Sequence, residues 1–436
     1  MNARLDRRNF MKASGGLVIG FSFLDPLGAL AQGATGDGSV APPDAARLDA
    51  WLAIHPDNTA TLFTGKVDTG TGIEVALAQI AAEELDFPVD RLSVVMGTTS
   101  KTVDQGPSYG SRTVRYAGPQ IRHAAAAGRQ VLIDLAATHF KLPAGQLSAK
   151  DGRAFVTGTP ARSISYGELV AGKQLDMTIG ASGKAFSLKV APDAVLKDPS
   201  AYTVVGRPIR RRDIPGKVTG QFTYVQDVKL EGMLHGRVVR PYGLQADLVS
   251  VDESGLKSIP GFVQVVRRAN FLGVVAKTEW GAIQAAEKLG SQLNPEGPQA
   301  AQAKWSDWQG LPVQEKIWDT VRKEPGGNTS VAARGSVDAA LASAKKVLKA
   351  TYETPFQMHG SIGPSCAVAD VRKDGATFWS GTQMPHQARR DMAKLLAMDP
   401  ERIELNWFEA SGQYGRNGLE HVIADAALMS QAVGRP

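Results

Sequence analysis

The chain has 436 residues, 43% hydrophobic and 21% charged, with 46 glycines and a formal charge of +6. This balance excludes a disordered or fibrous protein and fits a mixed α/β chain with two or three cores and many tight turns. The single cysteine, Cys366, excludes an internal disulfide framework, the Cys sets of an iron–sulfur cluster and a C-x-x-C-H haem attachment, so any electron leaves through a partner.

Taken in chain order, the first feature is an address. DRRNFMKASGGLVIG, residues 6–20, puts Arg7 and Arg8 ahead of a glycine-broken apolar stretch that closes on Ala29-Leu30-Ala31. The stretch is too short and interrupted for a spanning helix. The pattern R-R-x-F-x-K over residues 7–12 resembles a twin-arginine signal, which exports proteins already folded; an ordinary secretory signal with adjacent arginines is the alternative. Either predicts removal of residues 1–31, a periplasmic mature chain, and no transmembrane helix within it. Residues 32–47 read as a flexible Gly/Ala/Pro leader.

Residues 48–200 read as one segment. TATLFTGKVD (59–68) alternates like a strand, the glycines of TGTG turn, and Ile73, Leu77, Ile80, Ala81 and Leu85 fall on one helical face before Pro88 and the strand LSVVMG (92–97). A helix beginning near Val114 carries Ile121, Ala125, Val131 and Leu135, followed by a less regular region to about residue 200. Residues 201–214 read as a linker whose Arg207, Arg210, Arg211 and Arg212, lacking aromatic partners, suggest a solvated linker or docking surface and not a nucleic-acid site. A module over 215–292 shows strands GMLHGRVVR, FVQVVRR and FLGVVAKT and a helix from Trp280 to Leu289. Residues 293–334 read as a polar surface connection. Residues 335–436 return to strands, KKVLKATYET (345–354) and CAVADVRK (366–373), and then a helix and a strand.

AQIAAEELDFPVDRLSVV and RDMAKLLAMDPERIELNWF share the order helix, acidic-Pro turn, acid-Arg-apolar strand. Each precedes a stretch with Gln, Tyr, Gly and Arg: Gln105, Tyr109, Gly110 and Arg112, then Gln413, Tyr414, Gly415 and Arg416. Two ordinary α/β units would give this by coincidence; a true repeat would set two related halves facing each other across a shared ligand.

Four stretches could carry chemistry, each with a plain structural alternative. Gly70 and Gly72 open a helix whose unpaired N–H groups suit a phosphate, or form a tight turn. Ser108, Ser111 and Thr113 offer hydroxyls to a polar ligand, or cap the next helix. Gln383, just before Pro385, can donate to an oxo or carbonyl group, or cap. The glycines around Tyr414 let backbone amides approach a ligand closely. The seven histidines lack H-x-H or H-x-x-x-H spacing, which argues against zinc; His359 reads as structural or substrate-touching, and Cys366 as a small buried thiol.

In combination, residues 64–125 resemble the pterin-binding segment of the molybdenum hydroxylase large subunits, the xanthine dehydrogenase and aldehyde oxidase family. Residues 214–243 resemble the opening of its α/β hammerhead domain, and residues 379–418 its molybdenum-site segment. The order, with the pterin segment ahead of the hammerhead, resembles the exported branch with isoquinoline 1-oxidoreductase β subunits and membrane-associated aldehyde dehydrogenases. The resemblance implies an α+β fold with an inserted hammerhead domain over 215–292 and an incomplete molybdenum-site segment over 335–436. It implies a molybdenum-pterin cofactor, as the cytosine dinucleotide, contacted by Gly70, Thr71 and Gly72 and lined by Ser111, Arg112 and Thr113. Many relatives have Gln at Thr71. Gln383 would hydrogen-bond an oxo ligand of the metal, and Gly412, Tyr414, Gly415 and Arg416 would form the glycine-rich site loop, Tyr414 replacing a Phe. The implied reaction hydroxylates an aldehyde or N-heteroaromatic substrate and passes electrons to an iron–sulfur subunit and onward to a cytochrome c subunit or to quinone. The family's base is a glutamate in a G-x-G-E motif; here the only Gly-Glu pair is Gly167-Glu168. The expectation is therefore the front part of a large subunit, or an inactive remnant or binding module.

Overall fold

The structure, a computed structural model, describes residues 39–172, 175–241, 246–290, 302–306, 314–327, 329, 334–357, 359–414 and 421–436. The signal, residues 32–38 of the leader, Gly415 and Arg416 lie outside the described residues.

The first unit contains β1 (Leu52–Ile54), β2 (Ala60–Thr64), α1 (Ile73–Leu85) and β3 (Leu92–Met96). β1 pairs antiparallel with β2, and β2 parallel with β3 through the α1 crossover. The helical face expected from the sequence buries Leu77, Ala81 and Leu85. α2 (Gly118–Phe140) packs across α1, and Gly128 permits the approach, since a Cβ there would stand 3.1 Å from Leu52 and 3.4 Å from Leu85.

The region to residue 200 is more regular than its sequence suggested. β4 (Leu147–Lys150), β5 (Arg153–Val156) and β6 (Thr159–Ser165) form an antiparallel sheet followed by α3 (Tyr166–Val170), and β7 (Ala181–Ser182) pairs with β8 (Lys189–Val190). The overlooked signal is Asp151-Gly152, with φ of 51° and 73°, a hairpin turn of the type that favours Asp-Gly.

After α4 (Asp213–Thr219) comes the middle module: β9 (His235–Val238), β10 (Leu248–Val251), β11 (Phe262–Arg268), β12 (Phe271–Ala276), α5 (Glu279–Leu289) and β13 (Ala303–Trp305). Its three-stranded sheet runs β11-β12-β9, and Leu272, Val274, Ala285 and Leu289 join its core. β13 corrects the reading of residues 293–334 as surface connection, because it pairs antiparallel with β10.

The last part holds α6 (Ile317–Lys323), α7 (Val337–Ser343), β14 (Ala367–Val371), β15 (Ala376–Ser380), α8 (Pro385–Leu396), β16 (Ile403–Trp407) and α9 (His421–Val433). KKVLKATYET, expected as a strand, has no ladder partner among the described residues and is exposed throughout. Cys366 is half-buried just ahead of β14.

The sequence echo corresponds to a structural repeat. β14 pairs antiparallel with β15 and β15 parallel with β16, the arrangement of β1, β2 and β3. The parallel registers match, Ala60 facing Leu92 in one unit and Ala376 facing Ile403 in the other. Both helices end on a left-handed residue, Asp86 or Ala397, and both close with a bond from the next amide, Phe87 N to Ala82 O and Met398 N to Ala393 O, each 3.0 Å. A short 3-10 turn, Val89–Arg91 or Pro400–Arg402, then leads into the parallel strand.

Candidate functional site

In each unit the parallel pair of strands ends on the same side, and ligands of such sheets bind outside the carboxyl ends of the strands. The loops leaving β2, β3, β15 and β16 carry the described sequence-nominated residues. These loops also join the units: Thr99 N donates to Leu405 O (2.9 Å), Leu405 N to Thr99 Oγ1 (3.0 Å), and Arg390 pairs with Asp104 at 2.7 Å.

Gln383 and Ser108 meet at this seam. Ser108 N donates to Gln383 O at 2.9 Å, and Gln383 Nε2 donates to Ser108 O at 2.8 Å. Ser108 Oγ in turn accepts from Val67 N at 3.0 Å, so the loop after β2 is tied to the same point. Two glutamines support the loops equivalently. Gln105 Oε1 accepts from Thr64 Oγ1 (2.6 Å) and Gly65 N (3.0 Å) at the end of β2, while Gln413 Nε2 donates to Gly381 O just beyond β15. Sequence reading saw both only as members of the echo.

Lys66 is fully buried beneath these loops, its Nζ donating to Gly106 O at 2.9 Å and Pro107 O at 2.8 Å and lying 4.6 Å from the centre of the Phe186 ring. Burial pushes its ammonium down to about 8; the Asp104 charge opposes that shift and Arg112 adds to it. The Arg112 guanidinium also stands over Phe186, at 5.0 Å. His386 is buried at the seam with Nε2 3.2 Å from Thr102 Oγ1. His359 is exposed.

The Gly70–Gly72 loop departs from the simple phosphate-loop picture. Its amides are not unpaired: Asp68 Oδ1 accepts from Gly70 N (2.9 Å), Thr71 N (2.8 Å) and Gly72 N (3.2 Å), and Oδ2 from Glu74 N (3.1 Å). The chain's own carboxylate caps the dipole end that an external anion would use. The arginine cluster is likewise structural in part and not a free linker. Arg211 Nη1 donates to Gly70 O at 2.8 Å, and Arg212 Nη1 to Leu92 O at 2.6 Å. Lys217 pairs with both Asp213 and Glu409 at 2.7 Å.

Ser111, in the left-handed region at φ 57°, and Arg112 are exposed at the loop tip, and Thr113 opens a wide π turn, Thr113–Ala117, that runs into α2. Such turns recur at functional sites. Gly412 packs against the 361–363 backbone; Tyr414 is exposed with φ 49°. Glu168 is occupied elsewhere: its carboxylate accepts from Ser165 N at 2.9 Å in a helix capping box.

The residues fit a polar heterocyclic cofactor. Ser380 Oγ, Gln383 Oε1, Trp407 Nε1 and Gln413 Oε1 are buried without a hydrogen-bond partner at or just beyond the ends of β15 and β16, whereas Trp379 Nε1, also unpartnered, lies on the opposite face of β15 against Val228 and Val368. Buried polar atoms are rarely left unsatisfied, and this set of indole, hydroxyl and amide groups presents both donors and acceptors, as a pterin edge requires. Among the described residues no group of three His, Cys, Asp or Glu could hold a metal.

Comparison with known proteins agrees with this architecture. Residues 28–210 and 321–436 each match a molybdopterin cofactor-binding domain, so one match covers the first β-β-α-β unit and the other the second. The chain is 39% identical over 440 residues to a nicotinate dehydrogenase subunit of Pseudomonas putida, covering 99% of this chain and 34% of that protein. It is 26% identical to the beta subunit of isoquinoline 1-oxidoreductase from Brevundimonas diminuta, covering 99% and 58% respectively. A membrane-bound aldehyde dehydrogenase (pyrroloquinoline-quinone) of Gluconacetobacter polyoxogenes is also 26% identical, covering 99% and 55%. The chain thus spans between about a third and somewhat over half the length of these relatives. The two matched domains define a molybdopterin-cofactor protein. The chain belongs to the molybdenum hydroxylase family.

Proposed function

We propose that this chain is the cofactor-holding part of an oxidoreductase large subunit that hydroxylates an aldehyde or N-heteroaromatic substrate with oxygen derived from water. The observation that carries this reading is the run of unpartnered buried polar groups where the two repeated units meet, with Gln383 pinned there by its reciprocal bonds to Ser108. When bound, a molybdenum-pterin group supplies the two-electron redox centre. The chain's residues hold and orient it: the Gln383 and Gln413 amides supply the groups that read a polar edge, and buried Lys66 fixes the 104–108 loop behind them. Arg112 and Ser111, exposed at the loop tip, are placed to meet an anionic tail, for which the cytosine dinucleotide form is the natural candidate.

Cys366 alone cannot build a cluster, so electrons pass to an iron–sulfur subunit and from there to a cytochrome c subunit. Glu168, committed to its capping box, is not the proton acceptor. A twin-arginine signal over residues 7–12 would export the folded, loaded chain to the periplasm.

The test is molybdenum counted per polypeptide in chain purified from the periplasm, in wild type and in Gln383→Leu and Gln413→Leu. Near-stoichiometric metal in the wild type and at least a fivefold loss in both variants support the reading. A folded wild-type chain without molybdenum overturns it. Metal retention with no turnover, even with the iron–sulfur subunit present, would leave the second reading, a cofactor-binding module without catalysis, which the commitment of Glu168 to a helix cap favours.

A further inference from the structure

The short stretch that leads into α4 joins two of the site loops through a run of alternating charge. Arg211 reaches the loop after β2: its Nη1 donates to Gly70 O at 2.8 Å, and its stem lies so near the turn that a Cβ on Gly72 would stand 3.0 Å from Arg211 Cδ. Asp213 grips that guanidinium with both carboxylate oxygens, Nε donating to Oδ1 at 3.0 Å and Nη2 to Oδ2 at 2.5 Å. One helical turn on, Lys217 Nζ pairs with the same Oδ2 at 2.7 Å. It also donates to Glu409 Oε1 and Oε2, at 2.7 Å and 2.8 Å, in the loop after β16. The two ends of this run nearly meet, since a Cβ on Gly70 would lie 3.8 Å from Glu409 Oε1.

These are not loose surface pairs. The four side chains are between 11% and 30% exposed, so salt screens them weakly, and the fork of Arg211 on Asp213 fixes direction as well as charge. That guanidinium holds the Asp213 carboxyl well below the usual carboxylate range. Backbone and ring contacts brace the far end: Val225 N donates to Glu409 O at 3.0 Å, and Lys217 Nζ lies 4.7 Å from the centre of the Phe222 ring. The Asp213 carboxylate bonds to neither loop, only to the two cations that do. We propose that Asp213 and Lys217 are positioning residues for the cofactor site, setting the separation of the Gly70–Gly72 and 409–413 loops through Arg211 and Glu409. The cradle is thereby held at its working width before a ligand arrives. This rests on the family to which the chain belongs and not on the reaction proposed above.

The experiment measures amide hydrogen exchange over residues 69–74 and 408–413 in the full chain, with molybdenum counted per polypeptide in the same preparations. It compares wild type, Asp213→Asn, Lys217→Met and Lys217→Arg. Asp213→Asn and Lys217→Met are each expected to speed exchange at least about fivefold in both loops, while α1, β2 and β15 exchange as in the wild type. Lys217→Arg keeps a cation between the two carboxylates and stays within about twofold of wild type in both loops. Molybdenum falls at least about threefold in the Asn and Met variants and is retained in the Arg variant. Acceleration in one loop alone, acceleration spread evenly over both units, or loosened loops that keep the wild-type metal content overturns the proposal. Should Asp213→Asn not accumulate as folded protein, Lys217→Met decides on the same readouts. If the wild-type chain carries no molybdenum, the exchange rates still support or overturn the proposal, and only the reading of the site as a cofactor cradle fails.

Discussion

Lowering the pH should loosen the seam between the two units through His386. The imidazole is buried, and burial pushes it down to about 4 from an ordinary 6.5; Asp104 opposes the shift while Arg389 and Arg390 add to it. As pH falls below 6.5 the unfolded chain takes up the proton first, so stability is fully present above that value and declines as pH approaches 4. Integrating the difference in proton binding gives a loss of about 2 kcal/mol between about pH 7.5 and pH 5, levelling off near about 3 kcal/mol below pH 4. The assay is urea denaturation across this range for wild type and His386→Gln, which removes the titrating group while keeping a polar partner for Thr102 Oγ1. The variant starts less stable at neutral pH, but its curve falls less steeply by about 2 kcal/mol over that interval. Parallel pH dependences in the two proteins would refute the reasoning.

Three further outcomes follow from the loops. Asp68→Ala strips the cap from four amides; because Gly70 and Thr71 can be rehydrated, the expected cost is about 2 kcal/mol, read from denaturation, with Asp68→Asn losing about half of that. Gly65→Ala places a Cβ 2.0 Å from Val103 O, and the backbone shift should cost more than about 3 kcal/mol and lower expression of folded chain. Lys66, held down to about 8 by burial, makes the wild type more stable as pH rises from about 8 towards 10, since the unfolded lysine stays protonated longer; Lys66→Met should abolish that gain in the same titration.

The parts of the fold legible in the sequence were those with long periodic signals. α1, α5, β11 and β12 lie within a residue or two of their expected bounds because each carries an uninterrupted apolar face. The β4–β6 sheet was missed because its first two strands are only four residues long and only Asp151-Gly152 marks their turn. KKVLKATYET failed as an observed strand for a different reason: alternation reports the tendency to pair, but pairing needs a neighbour. At the site, the four loops were readable from glycines and hydroxyls, and the echo foretold that two of them were related to the others. Asp68 as the occupant of the Gly70–Gly72 amides was not readable, since Val-Asp-Thr-Gly fits a plain turn equally well. Nor were the roles of Arg211 and Arg212, which depend on contacts with residues more than a hundred positions away.

The seam also orders events in time. Each β-β-α-β unit closes within about fifty residues of chain, whereas Ser108 and Gln383, whose reciprocal bonds complete the site, stand 275 residues apart. Short-range units form before long-range ones, so the cradle is the last feature to assemble and the first to open. A ligand that bridges both units then binds only the joined state and holds it by mass action. The cofactor would thus act as a clasp as well as a reagent, with loading and final compaction a single event.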